Sequence, residues 1–154
     1  VMVKNTTGFT LVELLLAIIV MGLLGAIAAP TYTAYAERSN VAAATADIRQ
    51  IALAIERLNA NTFQYPDSLD EISGIAITDP WGNPYSYLRI EGNNEPGLIG
   101  KQRKDKNLNP LNSDFDLYSV GKDAESRLPL TARAARDDVI RAGNGGFVGL
   151  AADH

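Results

Sequence analysis

An α+β domain headed by a long helix is the class this sequence predicts, on three observations. The first is the apolar run from Phe9 to Ala29, whose only ionisable side chain is Glu13. At about 1.5 Å per residue it comes to about 30 Å as a helix, the thickness of a bilayer core. The second is a stripe at seven-residue spacing, in which Val41, Ile48 and Ile55 interleave with Ala44, Ile51 and Leu58. The third is a pair of short alternating segments, Tyr85–Ile90 and Asp114–Gly121, that read as strands pairing antiparallel.

Taken in order, the chain opens on a polar flank, Val1 to Thr7, with Lys4 as its only charged side chain. The helix follows from Phe9, and Pro30 inside the pattern bends or loosens it, because proline removes one N–H and crowds the preceding turn. Beyond Thr31 the aliphatic stripe alternates with Asp47, Arg49, Gln50, Glu56 and Arg57, which suits a helix with one face buried and one wet. The stripe covers too few heptads for a coiled coil, so its expected partner is the protein's own sheet. The helix ends near Asn59 to Asn61, Pro66 keeps Tyr65 out of helical conformation, and Asp67-Ser68 caps a short turn at Leu69 to Ile72.

The string Asp79-Pro80-Trp81-Gly82-Asn83-Pro84-Tyr85 demands a rigid turn leading into the first strand, with Trp81 covering the end of the helix packing. Residues 91–113 read as a solvated loop in which Lys101, Arg103, Lys104 and Lys106 are interrupted by Asp105. In the second strand Phe115, Leu117 and Ser119 share a face. Asp137-Asp138 reads as the N-terminus of a short helix to Ala142, favoured by its dipole, and Gly146–Leu150 adds one more extended piece.

Composition narrows the function. The chain carries 14 basic and 18 acidic residues, for a net charge of −4, which offers no electrostatic reason to bind nucleic acid. It has no cysteine, so no disulfide staples the domain. Its single histidine, His154, is expected to be mobile, and no nucleophile, phosphate loop or zinc spacing stands out, so the chain reads as no enzyme. Lys4 on the short flank places that flank in the cytoplasm and the larger domain outside.

Gly8, Phe9 and Glu13 together resemble the prepilin signature of type IV pilins and type II secretion pseudopilins. The resemblance implies a leader at residues 1–8, removed by the prepilin peptidase between Gly8 and Phe9, with Phe9 then N-methylated. It implies a transmembrane and assembly helix at 9–30, with Pro30 where these proteins often carry a helix-loosening proline, and a periplasmic globular pilin domain at 31–154. It also gives Glu13 a role: a neighbouring subunit's Phe9 amine would neutralise the carboxylate and set the register between subunits. Snorkelling of Glu13 to the headgroups is the alternative.

The Asp79–Tyr85 string is similar to one in the major pseudopilin of type II secretion. That resemblance implies a Ca²⁺ loop, here with Asp123, Asp137 and Asp138 as charged ligands and carbonyls near Ser119, Val120 and Lys122. The segment Ala124–Arg136 departs from the family's acidic, glycine-rich connection by carrying Arg127, Arg133 and Arg136, and the tail from Gly143 to His154 is longer than expected.

The expected fold is thus the α+β pilin fold, and the expected role is structural. The chain would be a single-pass inner-membrane subunit that homopolymerises through its N-terminal helix into a pseudopilus. Its partners would be the inner-membrane assembly platform and minor pseudopilins. The alternative is a type IV pilin in a surface fibre for adhesion, motility or DNA uptake; a third reading is a membrane-anchored periplasmic enzyme.

Overall fold

The computed structural model describes residues 8–106 and 108–154. One helix, α1 (Leu11–Thr62), is followed by four short strands, β1 (Ser86–Arg89), β2 (Phe115–Ser119), β3 (Val139–Ala142) and β4 (Phe147–Leu150). The strands form one antiparallel sheet in the order β1-β2-β3-β4, so the α+β pilin-type plan holds. The chain divides into two compact units, one up to Arg38 and one from Ser39 to His154, and α1 contributes to both.

In the first unit α1 starts at Thr10, whose hydroxyl accepts the Glu13 N–H at 3.2 Å and whose carbonyl accepts the Leu14 N–H. Every residue from Gly8 to Tyr35 is exposed, including Phe9 at 82% and Ile27 at 71%. This part of the helix is long and apolar enough to cross a membrane. The helical assignment continues through Pro30. Around it, the Thr31 and Thr33 hydroxyls donate to the carbonyls of Ile27 and Pro30, each at 2.9 Å.

In the second unit the stripe does what its spacing predicts. Ala44, Ile48, Ile51 and Ile55 are fully buried, and they form one cluster with Tyr85, Phe115, Leu117 and Val139. Val41 is partly buried against that cluster, as is Trp81. The register explains the sidedness: Tyr87 pairs with Leu117, Ser119 with Val139, and Val139 with Leu150, all on the helix side.

The opposite face is covered too. There Ile140 and Ala142 pack with Leu111, Leu130 and Ala151, flanked by Tyr118 and Phe147. All four residues of β3 are buried, because one face meets the helix layer and the other meets the loops.

Three expectations need correction. Val139–Ala142 is a strand and not part of a helix from Asp138: β2 and β4 offer ladder partners on both sides, and that pairing outweighs the local preference. The 91–113 segment is only partly solvated. Lys101, Lys104 and Lys106 are exposed, but Gln102 and Arg103 are buried and the Leu98–Gly100 stretch forms a 3₁₀ turn. His154 is docked rather than mobile, its Nδ1 lying 3.3 Å from an Asp105 carboxylate oxygen and its ring edge-on to Phe147.

Candidate functional site

Two regions carry the residues that the sequence singles out. In the first, Gly8 and Phe9 precede the helix, and Glu13 lies in its first turn. Residues 1–7 of the expected leader lie outside the described residues. Thr10 is the helix cap, and Glu13 stands three residues on, the spacing of a capping box. That pattern was readable in the sequence. It gives Glu13 a local reason to exist, since a carboxylate at a helix N-terminus is favoured by the dipole. The side chains beyond it, Leu14 to Ile27, leave an unbroken apolar surface that nothing among the described residues covers.

The second region is the rigid turn and the β2–β3 connection that it touches. Asp79 is buried, and one of its carboxylate oxygens accepts the N–H groups of Trp81 and Asn83, at 3.0 and 2.8 Å. The other accepts the Ser119 hydroxyl. Asn83 donates to the Gly121 carbonyl at 2.9 Å, and the Tyr85 hydroxyl donates to Asp47 on α1 at 2.9 Å. The turn therefore ties helix, β1 and the end of β2 together. Burial pushes the Tyr85 phenol far up from its ordinary value, and the bonded, charged Asp47 adds to the shift.

The residues expected to ligate calcium do not fit that ion. Asp137 Oδ2 accepts the backbone N–H groups of Lys122 and Asp123, both at 3.1 Å, so the loop points amide hydrogens at this carboxylate where a cation site needs oxygens. Asp123 accepts the N–H of Glu125 at 2.8 Å. Asp138 is buried and holds the Arg103 guanidinium at 2.6 Å, with the Ser126 hydroxyl on the same oxygen. Its other oxygen is buried without a hydrogen-bond partner, and the oxygen nearest the connection is already committed to a cation. Among the described residues no three His, Cys, Asp or Glu side chains are grouped to hold a metal.

Arg103 is the residue that sequence reasoning missed. It is 2% exposed. Its backbone N–H donates to Asp116 at 2.8 Å, its guanidinium donates to Ser126 and Asp138, and the same group stacks 4.1 Å over the Tyr118 ring. Burial pushes the Asp116 and Asp138 carboxyls up from the ordinary range, while Arg103 and the hydrogen bonds they receive pull them back. On the helix side Arg141 makes the matching clamp, bidentate to Asp114 at 2.9 and 2.6 Å and stacked 3.9 Å over Phe115.

A family profile described as the prokaryotic N-terminal methylation motif matches residues 3–29. Type II secretion system core protein G of Pseudomonas aeruginosa is 27% identical over 143 residues, which cover 79% of this chain and 87% of that protein. Core protein G of Aeromonas hydrophila is 23% identical over 144 residues, covering 80% and 87%. The type IV major fimbrial protein FimA of Dichelobacter nodosus is 36% identical over 87 residues, but these span only 55% of this chain and 52% of FimA. No solved structure gives a significant match. The chain carries the prepilin N-terminal methylation motif and is a homologue of type II secretion system core protein G, a major pseudopilin of the type IV pilin-like class.

Proposed function

We propose that this chain is the structural subunit of a pseudopilus that drives type II protein secretion. The observation that carries the reading is the similarity to core protein G over 79% of the chain, which extends well beyond the N-terminal motif into the globular residues. The physical requirement agrees with it. A helix whose residues 11–35 are all exposed is stable only in lipid or against other apolar helices, so extraction from the membrane and lateral packing between copies are coupled. In this reading the prepilin peptidase cuts between Gly8 and Phe9. The chain then crosses the inner membrane once with its domain in the periplasm, and Glu13 meets the Phe9 amine of a neighbouring copy. The inner-membrane assembly platform and minor pseudopilins are the expected partners, and the role involves no catalysis.

The FimA similarity favours a second reading, a type IV pilin in a surface fibre, over about half of the chain. Deleting the gene in its host separates the two. The pseudopilus reading predicts that secreted proteins accumulate in the periplasm while surface fibres persist. Loss of fibres with secretion intact selects the pilin. Glu13→Ala is expected to leave processing unchanged, seen by mass spectrometry of the mature N-terminus, and to abolish the activity of the filament.

A further inference from the structure

The Ca²⁺ loop implied by the resemblance does not fit these side chains, and the same region contains a buried cation of the protein's own. We infer that the Arg103 guanidinium takes the charge role of a divalent metal here, so that the β2–β3 connection is held shut without calcium. The inference concerns the globular unit alone and holds for either kind of filament.

The geometry carries it in three steps. First, several oxygens of this connection already accept protein hydrogen bonds: the Gly121 carbonyl takes Asn83, one Asp137 carboxylate oxygen takes two backbone N–H groups, and one Asp123 oxygen takes the Glu125 N–H. Second, the loop is closed by its backbone. Gly121 has φ of +70°, and a Cβ there would lie 2.4 Å from the Asp137 carbonyl oxygen, so strand end and returning chain are in direct contact at this point without a bridging ion. Third, Asp138, the carboxylate best placed to anchor the return of the chain, faces a guanidinium at 2.6 Å in a site sealed from water. A fixed guanidinium supplies several directed donors from one buried position. Arg103 spends them across two connections, since its backbone reaches Asp116 while its head reaches Ser126 and Asp138. A metal would tie the 120–138 segment to itself, whereas Arg103 ties it to the 90–114 segment and to β2.

The test uses the full chain in detergent micelles. Thermal unfolding is compared in millimolar Ca²⁺ and in chelator, and Tb³⁺ is titrated with luminescence sensitised by Trp81 and the tyrosines. The expected result is coincident melting curves and no saturable Tb³⁺ signal. A Tm that rises by several degrees in Ca²⁺, or saturable luminescence, overturns the inference. A second arm follows chymotryptic cleavage after Leu130. Arg103→Met should accelerate it by about tenfold or more, with no recovery on adding Ca²⁺, as local opening becomes easier. Cleavage as slow as in the parent chain, or rescue by Ca²⁺, also overturns it. If Arg103→Met fails to accumulate, Ser126→Ala removes the hydroxyl that accepts from Arg103 and donates to Asp138 while leaving the ion pair in place, and should speed cleavage by about two- to fivefold.

Discussion

At the scale of single residues, backbone and charge constraints meet at the end of β2. Gly121 is left-handed at φ +70° and its missing Cβ is what lets Asp137 approach. Gly121→Ala therefore combines φ strain with a steric clash against backbone, and is expected to cost more than about 1 kcal/mol, read as a lower Tm in detergent. In the turn before β1, Tyr85 holds Asp47, and burial keeps its phenol and that of Tyr87 protonated far above the ordinary value. In the unfolded chain these phenols ionise near pH 10. The folded protein then binds the protons more tightly, so the stability they contribute is complete below about pH 10 and is lost as pH rises beyond it. Unfolding curves from pH 9 to 12 should show that decline, and Tyr85→Phe should flatten it.

At the scale of elements, α1 shows how far local pattern reaches. Its C-terminus lies at Thr62, and the next residue, Phe63, adopts φ 58° with its N–H on the Asn59 carbonyl at 2.7 Å. A left-handed position just past a helix suits glycine, and Phe63 is 89% exposed, so it gives up little packing. Phe63→Gly is expected to raise stability by about 0.5 to 1 kcal/mol, measurable by chemical unfolding. The helix, β1 and β2 were legible because their side-chain periods match their surroundings: Ile48, Ile51 and Ile55 repeat at helical spacing, and Phe115 and Leu117 alternate. The strand β3 was not. Val139-Ile140-Arg141-Ala142 has both faces buried and shows no alternation, while Asp137-Asp138 before it imitates a helix start. Arg103 was illegible for a related reason. Among Lys101, Lys104 and Lys106 it looks like one more solvated charge, and only Asp116, Asp138 and Tyr118, distant in sequence, reveal that it is buried.

At the scale of the whole molecule, two compact units impose two solubility regimes. The full chain is expected in the membrane pellet and to remain there through a high-salt wash, since its exposed surface from Phe9 to Ile27 is apolar and screening does not weaken it. A chain starting at Ser39 should stay in the supernatant without detergent. The motif at residues 3–29 was legible because it is written in contiguous sequence. The calcium expectation rested on the resemblance to the major pseudopilin, and where Asp123, Asp137 and Asp138 direct their carboxylates is set by contacts distant in sequence.

The four buried anchors of α1, Ala44, Ile48, Ile51 and Ile55, carry a mechanical consequence. They lie along one line of the helix and all belong to one cluster with the sheet. Tension applied along the helix axis cannot detach them one after another, as peeling would. It loads them together, in shear, and rupture requires all four to slide out of register at once. Within this unit, helix and sheet therefore share a load along the helix axis as one interlocked surface and not as a seam that unzips.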